Sequence, residues 1–100
     1  MAKYKFSIAA EEDLESIVDY TLQNWGIDQA NQYLDGLEQR AQSLADNPKT
    51  GTSCEDFGVG LRYFPYQSHA LYYLKEQHGI TIVRVLHESM SPELHLKDDS

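Results

Sequence analysis

Ile80-Thr81-Ile82-Val83-Arg84-Val85-Leu86-His87 is an almost unbroken run of β-branched and apolar residues. A strand with one solvated face alternates apolar with polar positions, so a continuous run of this kind belongs at the centre of a sheet. Working back from it, Gln77-His78-Gly79 reads as a hairpin turn, and His69 to Lys75, with Ala70, Leu71, Tyr72, Tyr73 and Leu74, as the strand before it. Gln67 and Ser68 fill a tight turn ahead of that strand. Gly60-Leu61-Arg62-Tyr63-Phe64-Pro65 opens the first strand of the meander, with Arg62 and Phe64 on one face and Leu61 and Tyr63 on the other. Pro65 has no amide hydrogen to give to a ladder, so it ends this strand or marks an edge.

Further back the period changes. Tyr4, Phe6 and Ile8 alternate with Lys3, Lys5 and Ser7, the pattern of a half-buried strand. Ser7 then suits the N-cap of a helix whose first turns carry Glu11, Glu12 and Asp13, where negative charge complements the helix dipole. Ala10, Leu14, Ile17, Val18, Thr21 and Trp25 fall on one stripe of this helix, and Gly26 ends it. Asp28 is positioned to cap a second helix with the stripe Ala30, Tyr33, Leu34, Leu37, Ala41, Leu44 and Ala45, stopped by Asn47-Pro48. So short a link makes the two helices an antiparallel hairpin. Pro48 to Gly60 reads as a loop. The expected architecture is α+β, in the order β-α-α-β-β-β, with the helical hairpin packed on one face of a small, mostly antiparallel sheet. Met90, Pro92, Leu94 and Leu96 are expected to dock on the domain.

The chain has 100 residues, which sets the expectation of a single domain over residues 1–100, with residues 97–100 fraying. No apolar run approaches the roughly 18–20 residues that cross a bilayer, and the first residues lead into a strand rather than an apolar leader, so no membrane association is expected. A single cysteine, Cys54, excludes an internal disulfide, and a cytoplasmic setting fits. The net charge of −8 argues against a protein whose main task is gripping nucleic acid, because phosphate neutralisation needs a basic surface. Only three arginines are present, Arg40, Arg62 and Arg84, and two of them fall in the sheet. His69, His78 and His95 lack metal-ligand spacing with one another or with Cys54, so neither metal nor cofactor is expected.

Five pieces of sequence carry a resemblance: Phe6-Ser7 with Ala10-Glu11-Glu12-Asp13-Leu14, Ile17 and Tyr20; Trp25-Gly26 with Ala30, Tyr33 and Leu34; Leu44-Ala45-Asp46-Asn47-Pro48 with Gly51; Gly60-Leu61-Arg62; and Ile82 to His87 followed by Pro92-Glu93 and Leu96. In this order and spacing, over about residues 4–96, the chain resembles ParE toxins of the ParE/RelE superfamily. It departs from them at Ile8-Ala9, where proline is often found, and in its acidity. The resemblance implies a toxin of a type II toxin–antitoxin pair, acting on DNA gyrase and thereby on replication. It also implies a ParD-like antitoxin partner in a hetero-oligomer, with DNA reached only indirectly through that antitoxin.

RelE relatives instead cut mRNA on the ribosome. Such chemistry needs an acid, a base and cations at the scissile phosphate, for which Arg62, Arg84 and His87 are the candidates here. Against it, the Pro48–Gly60 loop holds one lysine, Lys49, and no second histidine clearly completes a site. A toxin-like protein with another target is a third reading. For target contact the candidates are again Arg62, Arg84 and His87. For the antitoxin, whose flexible tail would fold on contact, they are Tyr20, Leu22, Trp25, Tyr33 and Leu37 on the helical hairpin, with Arg62 and Arg84 taking an acidic stretch of that tail. Beside these stand plainer roles. Arg84 spans an exposed sheet face or pairs with Glu76 or Glu88, His87 is structural, and Trp25 and Tyr33 are core at the helix junction.

Overall fold

In the computed structural model, residues 2–90, Pro92 and Leu96 are described. Strand β1 spans Lys3–Phe6, helix α1 Ile8–Trp25 and helix α2 Ile27–Asp46. A 3-10 turn at Pro48–Thr50 follows, then β2 at Thr52–Ser53, β3 at Arg62–Tyr66, β4 at His69–Glu76 and β5 at Gly79–His87. The five strands form one sheet in the order β1-β5-β4-β3-β2. β1 lies parallel to β5, and every other pairing is antiparallel. The α+β reading therefore holds, and the apolar run at Ile80–His87 is central, between β1 and β4. The expectations for Leu94 and for fraying at residues 97–100 lie outside the described residues.

Two local readings are corrected and a third is decided. The stretch from Pro48 to Gly60 is not all loop, because Thr52 and Ser53 pair with Tyr63 and Arg62. Of the two readings of Pro65, the edge holds: it stays within β3, paired with Ala70 of β4, while β2 reaches only Arg62 and Tyr63 on the other side, so a missing donor there costs nothing. Asp28 does not cap α2. Gly26 serves both helices instead, its N–H bonded to the Thr21 and Leu22 carbonyls and its carbonyl accepting from Ala30 N–H. Its φ of 93° is a conformation that a side chain would strain, so glycine permits a one-residue link. Asp28 falls in the first turn of α2, where its charge still suits the dipole.

The main core lies between the helices and one sheet face. Leu37, Ala41 and Leu44 of α2 meet Leu71, Tyr73, Ile80, Ile82 and Val85 of the central strands. On the other face Leu61, Tyr72 and Leu86 are covered by Cys54, Phe57 and, from the tail, Leu96. This double coverage is why β5 reads as a continuous apolar run. The corner before β2 is tied by Tyr73, whose hydroxyl donates to the Pro48 carbonyl at 2.7 Å and accepts from Gly51 N–H at 2.8 Å.

β1 stops at Phe6 while β5 runs on to His87, so the far half of that β5 edge has no strand neighbour. The start of α1 covers it. Ser7 caps α1, accepting from Ala10 N–H, and its N–H and hydroxyl donate to the Ile82 and Val83 carbonyls. One turn further on, the Asp13 carboxylate accepts from Val85 N–H at 3.0 Å. A helix thus supplies the partners that a sixth strand would have given.

A one-residue irregularity shapes the end of the sheet. From the Gln77-His78 turn the β4–β5 register runs regularly as far as Tyr73 opposite Ile82, then shifts so that Tyr72 faces Arg84. Val83 is the extra residue of a β-bulge. Since side chains alternate along a strand, the slip moves Val85 and His87 onto the helix face and sets His87 opposite His69. The hairpin turn alone would have set Leu86 there.

Candidate functional site

The sheet arginines do not form a joint anion clamp. Arg62 turns toward the corner after α2, where one Nη donates to the Gly51 carbonyl at 2.5 Å and reaches the Lys49 carbonyl at 3.5 Å. Arg84 lies across β4 from it and forks onto Asp13 of α1, Nε to Oδ2 at 2.7 Å and Nη2 to Oδ1 at 2.9 Å. Neither Glu76 nor Glu88 is its ion-pair partner, as the sequence reading had expected; the sheet edge and α1 converge on Asp13 instead. Both guanidiniums are about half-buried or less exposed and make structural ties.

A deeper concavity lies elsewhere among the described residues. A groove of about 740 Å³ opens between the second half of α1, the start of α2, the β3–β4 turn and the end of β5. Among the candidates named from sequence, Tyr20, Trp25, Tyr33 and His87 line it. Tyr20 and Trp25 stand at its mouth with 64% and 71% of their surface exposed, so Trp25 is not core. Geometry explains that error: Trp25 is the last residue of α1, beyond the point where α2 can cover its stripe. Tyr33 is buried at the groove wall, so for it the core and groove readings both hold. Leu22 is exposed but lies off the groove lining, and Leu37 is fully buried in the main core, with no surface to offer a partner.

The groove floor holds a histidine pair that sequence reading missed in part. His69 and His87 are cross-strand partners whose rings meet edge-on at 5.3 Å, and His69 also packs edge-on against Tyr33 at 5.7 Å. His87 Nδ1 shares a 2.7 Å hydrogen bond with the Ser89 hydroxyl, and Ser89 N–H points back at the same nitrogen. Burial pushes the His69 imidazole below its ordinary value; a positive charge on His87 would lower it further and Glu88 opposes this. Burial, then Tyr66, pushes the Tyr33 phenol upward, so it stays neutral. Only the bulge makes this pair, so no spacing rule would have found His69.

Two more polar atoms at this wall, the Tyr33 hydroxyl and His69 Nδ1, are buried with no hydrogen-bond partner among the described residues. Gln29, Gln32 and Gln67 give the lining polar, uncharged groups and Ile17, Val85 and Met90 give it apolar ones; among the described residues Asp13 is its one carboxylate and it contains neither Lys nor Arg.

The family model described as "ParE toxin of type II toxin-antitoxin system, parDE" matches residues 4–92. The chain is 40% identical over 96 residues to Toxin ParE1 of Mycobacterium tuberculosis, covering 95% of this chain and 98% of that one. It is 34% identical over 96 residues to Toxin ParE1 of Caulobacter vibrioides, covering 96% and 99%. In fold it is similar to a solved structure titled "Chromosomal ParDE TA system from P. aeruginosa", with a TM-score of 0.70 and 18% identity over 87% of this chain and 96% of that chain. On the family match and these identities together, the chain belongs to the ParE toxin family of type II toxin–antitoxin systems.

Proposed function

We propose that this protein acts by binding rather than by catalysis: it inhibits DNA gyrase in the bacterial cytoplasm and is silenced by a ParD-type antitoxin seated in the groove. One observation carries the antitoxin half. The groove presents large exposed aromatic residues, Tyr20 and Trp25, at the mouth of a concavity of about 740 Å³ that runs between both helices and the end of β5. Exposed aromatic side chains at such a rim are what a folding-on-binding partner buries for most of its affinity. DNA is then reached only through the operator-binding half of the antitoxin.

The gyrase half rests on what the resemblance to ParE toxins implies, and the electrostatics favour a binder. Cutting a phosphodiester calls for cations at the reacting phosphate. Here Arg62 and Arg84 are held by backbone carbonyls and by Asp13, and among the described residues the groove lining carries no Lys or Arg. The test is a supercoiling and cleavage assay with purified gyrase. Lost supercoiling or trapped cleavage complexes, reversed by the antitoxin, is the expected result; unaffected gyrase with folded protein overturns it.

The His69–His87 pair is the one feature that favours a ribosome-dependent nuclease, since two imidazoles can divide acid and base roles. In-frame mRNA cuts that disappear in a His87→Gln variant would establish that reading instead.

A further inference from the structure

The helical layer of this protein is strongly and unevenly charged. Between Ile8 and Asp46 the chain carries nine carboxylates and a single cation, Arg40, and Arg40 lies against the Phe64 ring. Of those carboxylates, Asp13 already serves Arg84 and the β5 edge. The others stand on the exposed surface of the helices.

Helical spacing places some of them on the lip of the groove. Ser16 of α1 and Gln32 of α2 are lining residues. Residues three and four apart are neighbours on a helix. Glu12 and Asp19 therefore flank Ser16, and Asp28 and Asp35 flank Gln32, all four exposed. The lip is acidic on both helices, while among the described residues the lining holds no Lys or Arg to offset it.

Two independent features mark the groove as a place for a ligand rather than a bare charged face. Trp25 and Tyr20 leave their ring faces open at its mouth. The Tyr33 hydroxyl and His69 Nδ1 are buried at its wall without a partner among the described residues, where a seated chain could supply one.

We infer that the antitoxin segment in this groove is cationic: an amphipathic stretch whose apolar side meets Tyr20, Trp25 and Ile17 and whose Lys or Arg side chains meet the acidic lip. This rests on the antitoxin reading above and fixes the sign of the partner's charge. It is opposite to the acidic stretch that Arg62 and Arg84 suggested from sequence, because those arginines are turned inward to acceptors of the chain itself. Guanidinium groups gain twice here, from the carboxylates and from stacking on the open aromatic rings.

The test uses the full chain and a displayed library of random 16-residue peptides, selected on the wild-type protein and counter-selected on a Tyr20→Ala/Trp25→Ala variant. Peptides that need those rings should carry net positive charge. Their binding, followed by fluorescence of the chain's one tryptophan, should weaken several-fold as salt rises to about 300 mM. It should fall about tenfold in a Glu12→Gln/Asp19→Asn/Asp35→Asn variant, the scale of three exposed ion pairs. Selected peptides that are neutral or acidic overturn the inference, as does an unchanged affinity in the triple variant. Failure to select any ring-dependent peptide overturns it too. Ring-dependent peptides that are neutral or acidic overturn the charge assignment and leave the antitoxin reading standing, whereas the absence of any ring-dependent peptide counts against both; the gyrase assay tests the other half of the functional reading independently.

Discussion

Asp13→Ala should be among the most damaging single changes outside the main core. The carboxylate accepts two bonds from Arg84 and one from Val85 N–H, and the side chains of Arg84 and Asp13 retain only 19% and 16% exposure. Removing one member of a buried pair costs about 3–5 kcal/mol, and of an exposed pair less than about 1. At this burial the loss falls nearer the first figure, and part of it is the orphaned Val85 amide, worth about 1–3 kcal/mol by itself. A total of about 3 kcal/mol is expected, which for a domain of this size lowers Tm by about 15 °C. Urea and thermal melts of Asp13→Ala, Arg84→Met and the double variant form the assay. Arg84→Met should cost less than Asp13→Ala, because Asp13 still caps Val85. The double variant should lose less than the sum, with a coupling above about 1 kcal/mol. An Asp13→Ala protein melting within about 3 °C of the parent, or additive costs, would refute the claim that this carboxylate ties α1 to the edge of β5.

Tyr73→Phe should lower stability by about 1–3 kcal/mol in urea melts, because the buried Gly51 N–H and the Pro48 carbonyl both lose their partner. Leu37→Ala should cost about 2–5 kcal/mol through an interior cavity, whereas Trp25→Ala should leave stability within about 0.5 kcal/mol yet abolish antitoxin binding in a pull-down with the purified antitoxin. The reverse pattern would return Trp25 to the core. His69 makes stability depend on pH with a definite sign: the unfolded chain takes up this proton near pH 6.5, the folded chain only at lower pH, so stability falls as pH drops below about 6.5. Urea midpoints measured from pH 7.5 to 5 should show that fall, and His69→Gln should flatten it.

The fold was legible where each element's periodicity had a single physical cause. β5 is covered on both faces and reads as unbroken hydrophobicity; α2 packs one stripe and its stripe residues are buried almost as a set. Ser7 was recognisable because an N-cap is a local device. What could not be read depends on distant pairing. β2 is two residues long and exists only by its ladder to β3. The bulge at Val83 leaves no trace in composition, yet it decides which face His87 occupies and so creates the pair with His69. Trp25 continues the α1 stripe, but its burial was set by where α2 begins. The arginines illustrate the same limit, since charge in a strand marks a residue that needs a partner without saying whether that partner is foreign or the chain's own.

That last ambiguity has a consequence for how the surface is used. The edge of β5 beyond Phe6 needed donors and acceptors, and the start of α1 supplies them through Ser7 and Asp13. With Asp13 committed, Arg84 is drawn to the same carboxylate, and Arg62 is drawn to the carbonyls of the Lys49–Gly51 corner. The internal ties thus use both sheet arginines of an already acidic chain, and what remains outward on the helices is almost wholly negative. Asp13 stands at the junction of the two roles, since it holds β5 and also lines the groove. A partner seated there would cover the Asp13–Arg84 pair and exclude water from it, strengthening the contact that keeps α1 on the sheet. Any ligand that binds only the folded chain stabilises it by mass action. Here the coupling has a physical seat: the carboxylate that completes the sheet edge is part of the surface that a partner would bury.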